Sequence, residues 1–152
     1  MKPLRALLSL LLVAIATVLV GCGGPNVQAP PTYTPDKVVQ LQLALTPFNE
    51  AQDRLAELGK YVEKNDWNNV NSLTHGPFGS LRASAGYLNR AVLKKDQKQA
   101  TALSEALFKD LEKLDTATDA NLPANAETAY QAVVKDLAAY IDFIPSEPDA
   151  DA

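Results

Sequence analysis

The residue types that carry most metal and redox chemistry are nearly missing from this 152-residue chain, which holds one cysteine, Cys22, one histidine, His75, and one methionine, Met1. A single imidazole excludes His-Glu-x-x-His zinc hydrolases and the paired Glu-x-x-His sites of di-iron bundles. A single thiol excludes an intrachain disulfide, a thiolate metal cluster and the Cys-x-x-Cys-His of covalent haem. Met1 would be lost with any leader, so a His/Met haem ligand pair cannot form either. None of the seven glycines builds a phosphate-cradling loop, because Gly76 and Gly79 merely flank Pro77 in a turn. Cations are outnumbered, 14 Lys and Arg against 18 Asp and Glu, which argues against a nucleic-acid partner, since that requires a basic face. No segment alternates apolar and polar residues over a useful length, so no strand is expected.

What is present begins with a leader. Lys2 and Arg5 are followed by an apolar run over residues 7–20 and by the small Gly21, the layout of a secretory signal peptide. The run is about 14 residues, shorter than the ~20 that span a bilayer as a helix. Leu19-Val20-Gly21-Cys22 matches the bacterial lipobox, in which the cysteine becomes the acylated first residue of the mature protein. Two or more acyl chains at about 0.8 kcal/mol per buried CH₂ give a stable anchor. Removal of residues 1–21 leaves 131 residues, with 12 basic against 18 acidic side chains, enough for one domain with a core. That acidic balance argues against a peripheral basic patch, so the expected membrane link is the lipid alone.

Residues 22–34 form a Gly/Pro-rich tether kept extended by prolines at 25, 30 and 31. At Thr34-Pro35-Asp36 a helix should start, with Thr34 as N-cap and Pro35 in its first turn. Apolar residues then recur at Val38, Leu41, Leu45, Phe48, Leu55, Leu58 and Val62, one face of a long helix that Pro47 should kink or divide near Leu45. A break at Lys64-Asn65-Asp66 precedes a second helical stretch with Trp67, Val70 and Leu73, which bends at His75-Gly76-Pro77 and resumes over 78–92. Asp96 reads as the cap of a third helix striped by Ala100, Leu103, Leu107, Leu111 and Leu114. Residues 116–124 read as a loop, and a last helix from about Asn125 carries Tyr130, Val133, Leu137, Tyr140, Ile141 and Ile144 before Pro145. The expected fold is all-α, an up-down-up-down four-helix bundle over 35–145, with residues 146–152 a disordered acidic tail.

No catalytic constellation stands out, and neither an enzyme activity nor a cofactor or metal is expected. His75 sits beside a Gly-Pro break with no acid next to it, so a hydrolytic triad is not indicated. It reads as a helix C-terminal histidine facing the last carbonyls, or else as a partner contact or a surface ligand beside a carboxylate such as Asp66. The carboxylates Glu105, Asp110, Glu112 and Asp115 interleave with Lys109 and Lys113, as on a solvated face laced with pairs such as Glu105 with Lys109. The aromatics fall mostly on apolar stripes. Trp67, following a polar turn, fits either the core or an exposed interface anchor.

These residues taken in order resemble the cyanobacterial PsbQ family, lipoprotein extrinsic subunits of photosystem II. The likeness rests on the lipobox, on Thr32-Tyr33-Thr34-Pro35-Asp36-Lys37, on Val39-Gln40-Leu41-Gln42 and on Trp67. It continues through His75-Gly76-Pro77-Phe78-Gly79 with Leu81-Arg82, Lys95-Asp96-Gln97, Leu111-Glu112-Lys113-Leu114-Asp115 and residues 130–145. Phe78 departs from the Leu-like residue expected in that turn. The resemblance implies a four-helix bundle held by lipid on the lumenal face of the thylakoid membrane. It implies binding to photosystem II near the PsbO subunit and a core antenna subunit. There it would stabilise the oxygen-evolving complex and its calcium and chloride retention without holding the manganese cluster. For the partner contact, the turn His75, Gly76, Pro77, Phe78 and Arg82 is the candidate, with Trp67. Arg82 would pair bidentately with a partner carboxylate, or alternatively with an acid of the preceding helix in its own chain. A different class remains open, a periplasmic envelope lipoprotein whose bundle binds a small ligand or metal. A buried polar cluster inside the bundle would favour it.

Overall fold

A computed structural model describes residues 31–150, so the expected leader, Cys22 and most of the expected tether lie outside the described residues. The described chain forms six helical segments: α1 Pro35–Asp53, α2 Leu55–Glu63, α3 Trp67–His75, α4 Pro77–Ala91, α5 Lys94–Asp119 and α6 Pro123–Phe143. Segments α1 with α2, and α3 with α4, make two broken rods, so the architecture is a four-helix bundle without strands among the described residues. The α1 segment lies beside α4 and α6, and α5 packs between α4 and α6.

Helix α1 starts as its sequence dictates. Thr34 Oγ1 accepts from the Lys37 N–H at 3.3 Å, Pro35 opens the first turn, and Asp36 complements the helix dipole. The expected division near Leu45 does not occur, because α1 runs unbroken through Pro47 and the interruption falls at Arg54. The carbonyl that Pro47 leaves without an N–H partner belongs to Leu43, whose side chain is 70% exposed on the outer face of α1. Water can satisfy it there, which removes much of the cost of the proline.

Two helix ends share one device. After α2, Asn65 adopts φ 54°, its N–H bonds the Val62 carbonyl, and the Asp66 N–H reaches back to Tyr61. After α5, Asn121 adopts φ 53°, bonds Thr118, and Leu122 reaches back to Ala117. Both are Schellman closures with asparagine in the left-handed position. The second one shortens the expected 116–124 loop, because α5 continues to Asp119 and α6 already starts at Pro123. Asp96 is not the cap of α5. Leu93 occupies that position, and Asp96 lies in the first turn, where it accepts a hydrogen bond from the Tyr33 hydroxyl at 2.6 Å.

The core is continuous along the bundle. Leu41, Leu45, Phe48, Leu58, Phe78, Leu81, Leu88, Leu107, Leu114, Leu137 and Tyr140 are all fully buried, and truncating any one of the leucines would cost about 2–5 kcal/mol. The Phe48 and Tyr140 rings pair with centroids 4.7 Å apart. Tyr33, just before α1, is buried too. Its hydroxyl accepts from the Leu93 N–H at 3.1 Å, and its backbone exchanges two hydrogen bonds with Asp149, at 2.8 and 3.0 Å. The root of the tether, the α4–α5 turn and the start of the acidic tail are thereby stapled together.

Candidate functional site: the seam between α3–α4 and α5

The joint between α3 and α4 is built from His75, Gly76 and Pro77. The Gly76 N–H closes α3 on the Ser72 carbonyl at 3.1 Å, and Pro77 opens α4 with no spacer. A side chain at position 76 would place its Cβ 2.6 Å from the Ser72 carbonyl oxygen, so only glycine lets the two helices meet this closely. The sharp joint turns His75 and Arg82 toward α5.

Along α5, Phe108, Glu112 and Asp115 fall three and four residues apart on one face. His75 Nε2 lies 2.8 Å from Asp115 Oδ1, an oxygen shielded from water, while the imidazole itself is mostly exposed. Arg82 Nη2 lies 2.9 Å from Glu112 Oε1, and its guanidinium stacks over the Phe108 ring, 4.6 Å from the centroid. These side chains border a cleft of about 240 Å³ floored by Phe78 and Leu111. Further along the seam, Asn71 Oδ1 accepts from the Thr118 hydroxyl at 2.9 Å. At its tip, half-buried Trp67 donates from Nε1 to Asn121 Oδ1 at 2.7 Å.

The structure therefore brings His75, Gly76, Pro77, Arg82 and Trp67 onto one seam but withdraws Phe78 from its surface. Phe78 is fully buried, because its place in the first turn of α4 faces the core, so its side chain packs rather than makes contact. The carboxylate beside His75 is Asp115, not Asp66, which instead caps α3 by accepting from the Asn69 backbone and side-chain amides. Arg82 pairs within the chain, with an acid of the following rod rather than the preceding one. The acids of α5 are only in part a face of local pairs, of which Asp110 with Lys113 is one. Glu112 and Asp115 reach across to α4 and α3, and Asp110 is itself buried. Burial together with the neighbouring Asp110 pushes the Asp136 carboxyl above the usual carboxylate range.

Two further features escaped the sequence pattern. A groove of about 680 Å³ runs between the second half of α5 and the first turns of α6, floored by Ala117, Ala124, Ala129 and Ala132. Inside the bundle, the Asn89 amide lies 2.9 Å from Tyr140 Oη and 2.8 Å from Ser104 Oγ, joining α4, α5 and α6. Burial pushes the Tyr140 phenol far above its ordinary range. This is a buried polar cluster of the kind that would favour a ligand-binding bundle. Its groups are partnered with one another, however, and neither cleft is lined by them.

Residues 4–145 match the sequence model of the PsbQ family, described as oxygen evolving enhancer protein 3. A relative in Synechocystis sp., CyanoQ, is 36% identical over 146 residues, which cover 95% of this chain and 98% of that one. No helix among the described residues is long and apolar enough to cross a membrane.

Proposed function

Because the chain belongs to the PsbQ family of oxygen-evolving enhancer proteins, we propose that it is a lumenal extrinsic subunit of photosystem II that works by contact. The observation that carries this reading is the extent of the match, which runs over residues 4–145, past the end of α6. In this reading Cys22 is acylated and holds the bundle on the lumenal side of the thylakoid membrane. The anchor raises the local concentration of the bundle, so a modest protein interface is well occupied. The bundle then caps a lumenal surface near a PsbO-like subunit and a core antenna subunit. It restrains loops there and slows the escape of calcium and chloride from the oxygen-evolving complex.

The seam supplies the contact. His75 ends α3 and Arg82 lies early in α4, so the tight Gly76-Pro77 joint places both on the same seam. Arg82 and Glu112 are 60% and 69% exposed, and an ion pair that open contributes only about 0–1 kcal/mol. Arg82 can therefore leave Glu112 for a partner carboxylate at little cost, and Glu112 can accept a partner cation. Trp67, half-buried at the tip, adds apolar area at the edge of the same surface.

A pull-down tests the reading. The protein is tagged after Ala152 in cells, gently solubilised, and compared with Cys22→Ser. Enrichment of oxygen-evolving photosystem II with the wild type, reduced when the lipid is lost, is the expected result. Absence of every photosystem subunit from both samples would overturn it.

A further inference from the structure

The chain is acidic, but its charge is not evenly spread. Arg90, Lys94, Lys95 and Lys98 cluster at the turn between α4 and α5, all four exposed, and none forms an ion pair among the described residues. The one acid in that stretch, Asp96, is engaged by the Tyr33 hydroxyl. Asp149 of the tail also reaches this corner, where its carboxylate accepts from the Tyr33 N–H at 2.8 Å. The remaining acids at this end, Asp36, Asp142 and Glu147, belong to the first turn of α1, the last turn of α6 and the tail. The four cations thus make a basic edge along α4 and α5, where the acids beside them, Asp96 and Asp149, are both engaged by Tyr33. Arg90 suits the last turn of α4, but the lysines are not placed for helix stability. Lys94 and Lys95 occupy the first turn of α5, where the helix dipole disfavours cations.

The tether leaves the bundle at this same corner. The Tyr33 hydroxyl accepts from the Leu93 N–H at 3.1 Å and donates to Asp96 at 2.6 Å, and Lys95 Nζ stands 5.8 Å from the centre of the Tyr33 ring. Only residues 22–30 separate an acylated Cys22 from the described chain. Nine residues span at most about 30 Å, so the basic edge is the part of the bundle that the anchor holds nearest the lipid.

We propose that the α4–α5 corner, through Arg90, Lys94, Lys95 and Lys98, binds an anionic lipid surface. It acts as the second membrane signal beside the acyl anchor and sets which end of the bundle faces the membrane. The role given to the anchor rests on the lipoprotein reading above; the charge contact does not. Four cations near an anionic surface attract it over about a Debye length. Tyr33 converts that attraction into orientation by fixing the tether's exit beside the cations.

The test uses the mature chain from residue 22 with Cys22→Ser, so that no acyl chain contributes. It is co-sedimented with vesicles of phosphatidylcholine alone, or of phosphatidylcholine and phosphatidylglycerol in equal parts. The expected result is a preference for the anionic vesicles that fades with added salt. Lys94→Gln, Lys95→Gln and Lys98→Gln together should weaken it by about fivefold per lysine removed. Lys60→Gln with Lys64→Gln, exposed cations around the end of α2, should leave it unchanged. Equal sedimentation with both vesicle types, or the same loss in both variants, would overturn the proposal. So would a triple variant that keeps its vesicle preference but no longer co-purifies with photosystem II, which would make the corner a protein contact. Failure here leaves the pull-down result untouched, so the two readings fall separately.

Discussion

Tyr33 is where three separated parts of the chain converge, and its phenol makes the convergence measurable. Burial, reinforced by the hydrogen bond to Asp96, pushes that phenol from 10.0 up to about 12. Its folded pKa is raised, so the stability it contributes is complete below about pH 10 and is lost as pH rises through about 12. Tyr33→Phe should cost about 1–3 kcal/mol at neutral pH, the usual cost of unpairing a buried N–H and losing a bond to a charged acceptor. It should also flatten part of the fall in urea midpoint between those two pH values. An unchanged alkaline profile in the variant would remove Tyr33 from the staple. Nothing in the local pattern marks Tyr33 as buried, since it stands among prolines and threonines before the first helical turn. Its partners lie 60 and 116 residues away, a separation that periodicity does not sense.

At the scale of elements, local chemistry decided what was readable. The Thr34-Pro35-Asp36 start and the Lys64-Asn65-Asp66 break announce themselves because cap residues act within a turn of their own position. Three boundaries read otherwise in the sequence for physical reasons. Pro47 sits where the carbonyl it orphans is on the solvent side; α5 opens at Lys94, which leaves Asp96 inside the first turn; and Asn121 closes α5 in place of the longer loop. The last had a usable signal, an asparagine two residues before a proline. Positive φ at Asn65 gives a prediction. Asn65→Gly should leave the urea midpoint essentially unchanged, whereas Asn65→Val should lower stability by about 1–2 kcal/mol, the cost of forcing a β-carbon into the left-handed region. Equal effects of the two variants would mean that α2 does not end in the closure described.

For the whole molecule, bundle class and core were legible because apolar spacing along each helix records which face is buried. The seam was legible only in its residue types. His75, Arg82 and the α5 acids were visible in the sequence, but their pairing depends on how one rod lies against another, which no single helix encodes. The same holds for the basic edge, which a net charge conceals because that sum carries no information on where the acids lie. The account's central claim is that the bundle stabilises oxygen evolution through the seam, and reconstitution tests it most directly. Photosystem II from cells lacking the protein is supplied with the wild type or with Arg82→Glu, and oxygen evolution is followed in medium poor in calcium and chloride. The account predicts that the wild type sustains activity. Arg82→Glu, folded but carrying a carboxylate beside Glu112, should need about tenfold more protein for the same effect, the equivalent of roughly 1.4 kcal/mol. Oxygen evolution that decays at the same rate with and without the wild-type protein would contradict the account.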